Sequence, residues 1–302
     1  MALAYCILAH KNPAQVGRLL RAIAHPENIC FLHYEKRAPR AEHAEVERLA
    51  KEIPGVYLLP SRPVLWGRFS QVGTQLEGMR RALECGRPWT HFITLTGQDF
   101  PLWPQARMIE KLAAAKDASY VSFFDPFATD YWKNVEERLG RFHLDSATLE
   151  WLLKFPGLGR WLRQICGWRD RMPSLPWVRR QLPEEFRYWG GSNHVILSRV
   201  AAAYIANDSN ARRIVDWLKR SGHPDETVFQ STLLNGPLAG TVVNDDRRAI
   251  LWEREGEPSP QTLRCADLPW LRGKAREEGK LFARKVDLMV DPKLMDELEG
   301  DL

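Results

Sequence analysis

The sequence predicts an α/β fold, a mostly parallel sheet with helices on both faces, on three observations. Short apolar runs alternate with stretches of helical period from Ala4 to Leu95. Residues that open and close helices fall between those runs, and no clear linker, internal repeat or low-complexity segment divides the 302 residues. Residues 5–9 form the first predicted strand. Asn12-Pro13 then opens a helix carrying Val16, Leu19, Leu20 and Ile23 on one side. A second strand over 29–33 precedes a helix marked by Val46, Leu49 and Ile53, and a third strand covers 56–59. Ser70 is placed to cap a third helix with Val72, Leu76, Met79 and Leu83, Gly86 to close it, and 92–95 is the fourth strand. Strands joined through helices pair in parallel.

The middle of the chain breaks this rhythm. Between Phe123 and Tyr188 lie many prolines and a basic, tryptophan-rich stretch: Trp151, Arg160, Trp161, Arg163, Trp168, Arg169, Arg171, Trp177, Arg179 and Arg180. It reads as an insertion carrying short helices. Such residues stack on sugar rings, rest in a membrane interface or bind single-stranded nucleic acid, and equally they pack as ordinary core with arginine stems laid over the rings. Beyond it, 193–197 reads as a strand, and 199–205 and 211–220 as helices.

The run His223-Pro224-Asp225-Glu226-Thr227-Val228 places two carboxylates at a predicted helix start, with Pro224 in the first turn. There the helix dipole favours the ionised form, and a carboxylate so held can serve as a base; acidic residues in a first turn also simply complement the dipole. A parallel sheet binds ligands beyond the carboxyl ends of its strands. That rule gathers His10-Lys11, Glu35-Lys36, Ser61-Arg62 and Thr96-Gly97-Gln98-Asp99 along one crevice.

Composition removes several classes. No Gly-x-Gly-x-x-Gly follows the first strand and no Gly-Lys-Ser/Thr loop occurs, so dinucleotide and P-loop readings lose their support. A net charge of +5 and 44% hydrophobic residues fit a protein with a substantial core, and no nucleic-acid recognition motif accompanies the charge. The five cysteines are scattered, without a Cys-x-x-Cys or Cys/His cluster, which fits a reducing compartment. No apolar run approaches the roughly 20 residues of a membrane span.

Taken in order, several segments resemble a known family: Ile7-Leu8-Ala9-His10-Lys11, Leu32-His33-Tyr34-Glu35-Lys36, Leu95-Thr96-Gly97-Gln98-Asp99-Phe100-Pro101-Leu102, Gly191-Ser192, the Pro-Asp-Glu turn and Leu281-Phe282-Ala283-Arg284-Lys285. Together they look like the core-2/I-branching β-1,6-N-acetylglucosaminyltransferases and the related peptide O-xylosyltransferases (glycosyltransferase family 14), here as a bacterial-type member. The resemblance spans nearly the whole chain and is poor from about 128 to 188.

What the resemblance implies is a GT-A-type, Rossmann-like domain over 1–302: a nucleotide-sugar-binding half at 1–125, a divergent insertion at 126–190, and an acceptor, catalytic and diphosphate-binding half at 191–302. The implied activity is inverting transfer from UDP-N-acetylglucosamine, or alternatively UDP-xylose, to a glycan hydroxyl, with no divalent metal and no cofactor. Glu226 matches the catalytic carboxylate. Ala9, His10 and Glu35 match the uracil end of the donor site, Glu35 replacing the family's Asp, while Arg248, Arg284 and Lys285 are the cations for the diphosphate. Arg138 matches an acceptor-binding arginine, and Trp252 and Asp225 are grouped with it. Where the family has an aromatic after Gly-Ser, this chain has Asn193-His194; the xylosyltransferase branch places an Asp at Asn193, and asparagine accepts no proton near neutral pH. A cytoplasmic enzyme is the expectation, with a peripheral position on the inner face of the membrane as its variant; a non-catalytic glycan- or membrane-binding protein on the same fold is the other class.

Overall fold

The computed structural model describes residues 1–130, 132, 134–145, 155–165, 174–253 and 259–302. Twelve strands are described: β1 Leu3–Ala9, β2 Ile29–Tyr34, β3 Val56–Leu58, β4 His91–Thr96, β5 Asp99–Pro101, β6 Ser119–Phe124, β7 Arg141–His143, β8 Ser174–Arg179, β9 Gly190–Ser198, β10 Val242–Val243, β11 Arg248–Ile250 and β12 Phe282–Arg284. The main sheet has the order β10-β6-β9-β4-β1-β2-β3. The expected strands over 5–9, 29–33, 56–59 and 92–95 are β1 to β4, all parallel. The sheet is mixed beyond β4, because β9 runs antiparallel to both β4 and β6.

β1 shows why the sheet is covered on both faces. Leu3, Tyr5, Ile7 and Ala9 point into one core with Val16, Leu19 and Leu49, while Ala4, Cys6 and Leu8 point into another with Val72, Leu76 and Met79. A period of two with apolar residues at every position leaves neither face for water.

The strand directions gather the site. β1, β2 and β4 end at one edge, and the reversed β9 begins there with Gly190 and Gly191 beside the end of β6. A Cβ on Gly191 would stand 1.9 Å from the Ser122 carbonyl oxygen, so only glycine allows this approach. A small sheet, β11-β12-β5, covers the same edge, and its antiparallel register sets Arg284 opposite Asp99.

Three expectations are corrected. Ser70 does not cap the third helix, which spans Phe69–Glu84; its hydroxyl lies within the first turn and accepts a bond from the Leu65 amide. The insertion is not purely helical: besides helices Val135–Gly140 and Pro156–Ile165 it contains the antiparallel ribbon β7-β8. Among its described tryptophans, Trp161 and Trp177 are exposed; Trp151, Trp168, Arg169 and Arg171 lie outside the described residues. The third concerns the Pro224–Glu226 segment, which is not the first turn of an α-helix.

Candidate active site

Pro224–Glu226 is a single 3-10 turn, separate from the α-helix Val228–Leu234 that follows. His223 enters it with φ 49°, a left-handed conformation, and its carbonyl accepts the Glu226 amide at 3.0 Å. Asp225 and Glu226 therefore precede the α-helix instead of occupying its first turn. Gln230, one turn into that helix, donates to the Ser192 carbonyl at 2.6 Å and ties it to β9.

Dipole stabilisation does not govern this pair, contrary to the expectation that the ionised forms would be favoured. Burial raises the pKa of Glu226, and Arg138, whose Nη1 donates to its Oε2 at 2.9 Å, pulls the other way. Asp225 is pushed up to about 8, first by burial and then by the neighbouring Glu226 charge. Arg138 is itself held from two sides. Its guanidinium lies 4.3 Å over the Trp132 ring, and its carbonyl accepts the Gly222 amide at 2.6 Å, tying the Val135–Gly140 helix to the loop ahead of the turn.

Glu226 and Asp225 line a cleft of about 510 Å³ whose wall also includes Asn193, His194, Trp252 and Arg284. Arg284 donates to the Thr96 hydroxyl at 2.6 Å and faces Asp99 at 3.3 Å. Burial pushes the Asp99 pKa up, but Arg284, with Arg248 and the Thr96 amide, outweighs it, leaving the Asp99 carboxyl below its ordinary value. Burial, then Arg284, holds His194 well below its ordinary value, so its ring is neutral.

The donor residues inferred from sequence divide. Arg284 lines the cleft. Lys285 next to it is half-buried, its amine donating to the Ser259 hydroxyl at 2.6 Å. Ala9, His10 and Glu35 stand at the adjoining strand ends, outside this cleft, with the exposed His10 bordering a small recess beside Gly97 and Gln98. Glu35 is buried with both oxygens engaged: Oε1 accepts from Arg37 Nε at 2.7 Å and Oε2 from the Val64 amide at 2.8 Å. Arg248, expected as a diphosphate cation, is 3% exposed and donates to the carbonyls of Thr94 and Asp246 beneath the site, so it supports the floor and does not reach the cleft.

The sequence profile described as Core-2/I-Branching enzyme matches residues 3–269. The chain belongs to this family. Beta-1,3-galactosyl-O-glycosyl-glycoprotein beta-1,6-N-acetylglucosaminyltransferase 4 of Danio rerio is 25% identical over 323 residues, covering 99% of this chain and 69% of that protein. The Mus musculus protein of the same name is 26% identical, covering 97% and 64%. Xylosyltransferase 1 of Rattus norvegicus is 23% identical, covering 99% of this chain and 35% of its own length. The chain thus spans about two thirds of the first two relatives and about a third of the last. Among solved structures, apo mouse xyloside xylosyltransferase 1 aligns over 94% of this chain with 12% identity and a TM-score of 0.38.

This core-2/I-branching enzyme is a glycosyltransferase, and its cleft holds residues that sequence reasoning missed. Trp66, 66% exposed, lines the wall and meets His223 edge-on at 5.0 Å. A lone tryptophan in the segment after β3 follows the strand-end rule and could have been read from it. Asp246, whose Oδ1 accepts the Arg248 amide, and His194 carry no comparable local pattern.

Proposed function

We propose that this enzyme is an inverting, metal-independent transferase that moves N-acetylglucosamine from UDP-N-acetylglucosamine onto a glycan hydroxyl, forming a β-linkage. The observation that carries this reading is the Arg138–Glu226 pair opening on the same cleft as Arg284. Glu226 takes the proton of the acceptor hydroxyl while that oxygen attacks the anomeric carbon from the face opposite UDP. The anomeric C–O bond to the phosphate breaks, and its electron pair leaves with UDP. A positioned base contributes about 10² to 10⁴ in rate. Arg284 and Lys285 meet the charge developing on the diphosphate. Asp99, the single carboxylate where a metal-binding pair would stand, already accepts from Thr96 and Arg284, which supports a site in which a guanidinium replaces a cation. Trp252 and Arg138 face the acceptor.

UDP-xylose is the second reading, favoured by the similarity to xylosyltransferase 1. Asn193 on the cleft wall cannot act as a base, which favours Glu226 and the N-acetylglucosamine donor. A panel of UDP-, GDP- and CMP-sugars with glycan acceptors tests both, read as nucleotide release and as the anomeric configuration of the product by NMR. The expected result is release from UDP-N-acetylglucosamine with a β-product. An α-product overturns inversion, release from UDP-xylose alone changes the donor, and intact donors throughout overturn the proposal.

A further inference from the structure

Two adjacent carboxyl groups share the catalytic turn in unlike surroundings. The Glu226 side chain is 31% exposed and faces Arg138. Asp225 is 4% exposed, forms no ion pair among the described residues, and has one oxygen, Oδ1, sealed from solvent without a hydrogen-bond partner there. An ionised carboxylate in that position would combine a buried charge, an unsatisfied oxygen and a like charge on the next residue. Each costs free energy, and together they favour a bound proton.

From this geometry we infer that Asp225 is the protonated member of the pair and a positioning residue for Glu226, so that the turn holds one negative charge and loses activity when Asp225 ionises. The inference rests on reading Glu226 as the base. A neutral Asp225 leaves Arg138 undivided between two anions and keeps Glu226 where the acceptor hydroxyl reaches it. Among the described residues, the elements packed around the turn bring one cation, Arg138, that opposes a proton on Asp225. From the Val135–Gly140 helix comes Arg138, already committed to Glu226; from β9 come the neutral amide of Asn193 and the neutral ring of His194. The Phe69–Glu84 helix brings Arg68 at its start, acting on His143 and His223, and Val228–Leu234 has no charged residue. Consistent with this, burial and the Glu226 charge place the Asp225 pKa at about 8, with Arg138 and Asn193 opposing incompletely.

Asp225→Asn keeps the shape and charge of the protonated acid and cannot ionise. Two series on the full chain test the inference. In the first, kcat/KM of the wild type falls as pH rises through about 8. In Asp225→Asn that alkaline limb moves up by at least about one pH unit, while activity at pH 7 drops by no more than about tenfold. A limb that stays in place, or a hundredfold loss at pH 7, overturns the inference.

The second series needs no substrate. A carboxyl group whose folded pKa exceeds its unfolded value contributes stability that is complete below the unfolded pKa and is lost as pH rises through the folded one. The asparagine variant has no such loss. Its Tm advantage over wild type should therefore grow from about pH 4 to about pH 8 and level off above. A constant or shrinking difference means that Asp225 is ionised in the folded protein, and a variant that fails to fold at neutral pH argues the same way. If no sugar nucleotide is turned over, the proposed function fails by itself and the Tm series still decides the protonation state of Asp225.

Discussion

Two arginine–carboxylate pairs stand on this cleft, Asp99–Arg284 and Glu226–Arg138, joined across 185 and 88 residues of chain. Their chemistry is the same and their settings are not. The Asp99 side chain is fully buried and accepts from the Thr96 amide and hydroxyl as well as from Arg284. Glu226 is nearly a third exposed, and among the described residues its one hydrogen bond from another side chain comes from Arg138. The first carboxylate is held ionised, and replacing it disturbs the scaffold. The second has its pKa raised by burial and an open side toward the cleft, which is what a proton acceptor needs. An ion pair by itself says little about function; the exposure and spare bonding capacity of its carboxylate separate a fixed charge from a reactive one.

Removing each carboxylate's charge should separate the two pairs most strongly. Glu226→Gln keeps its shape but accepts no proton, so kcat should fall at least about a hundredfold with UDP binding retained. Turnover near wild type would remove Glu226 from the base role. Asp99→Asn leaves Arg284 facing a neutral amide in a buried site, a class of change that costs about 3–5 kcal/mol. It should appear first as a lowered denaturation midpoint in urea.

The cations give the next largest effect. Arg284→Ala should lower both kcat and stability, because Arg284 lines the cleft and also neutralises buried Asp99. Lys285→Ala should weaken UDP binding and turnover by about tenfold while leaving Tm nearly unchanged, since among the described residues its amine donates to the Ser259 hydroxyl and faces no buried carboxylate in an ion pair. Isothermal titration with UDP, beside a thermal melt of each variant, checks this split. Equal losses of stability in both would erase the distinction between a fixed and a free cation.

The same contrast explains how much was legible in the sequence. β1 to β4 follow from local period, because each strand's pattern is written in consecutive residues. Asn12, read as a cap, does accept the Gln15 amide. The Glu226–Arg138 contact was not legible: family resemblance matched Arg138 to an acceptor-binding arginine, and its pairing with Glu226 across 88 residues of chain is a finding of the structure. Arg284 and Lys285 could be named from resemblance, which put Lys285 first, but what each side chain meets depends on the pairing of β12 with β5. The setting of Arg248 was hidden for the same reason: three residues of strand reveal nothing of the buried carbonyls that its guanidinium meets. The Pro224–Glu226 turn misled because a Pro-Asp-Glu run starts a 3-10 turn as readily as an α-helix, and only burial shows which way the carboxyl pKa values move.

A pH profile sharpens the comparison from the Glu226 side. Burial raises the Glu226 pKa, so the base is lost as pH falls through a value above the ordinary carboxylate range, about tenfold in kcat/KM per unit below it. Arg138 opposes that rise. Arg138→Gln should therefore move the acid limb to higher pH as well as weaken acceptor binding, whereas Arg284→Gln should leave the limb in place. A limb that ignores Arg138 would mean that another group sets it.

The smallest effect is expected from metal removal. A divalent ion on the diphosphate needs carboxylate oxygens free to coordinate it, and the Asp99 oxygens already receive the Thr96 amide, the Thr96 hydroxyl and Arg284. Among the described residues no group of three or more His, Cys, Asp or Glu is placed to hold a metal ion. Excess EDTA should leave turnover within about twofold, and added Mg²⁺ or Mn²⁺ should change it no more than that. Arg284→Ala sharpens the test, because removing the guanidinium frees an Asp99 oxygen and the space in front of it. If Mn²⁺ restores part of that variant's activity while leaving the wild type unaffected, Arg284 occupies the cation's place. Loss of wild-type activity in EDTA, recovered with Mn²⁺, would show instead that Asp99 gives up its internal bonds when the donor binds, and the distinction between the fixed and the reactive pair would then hold only for the empty cleft.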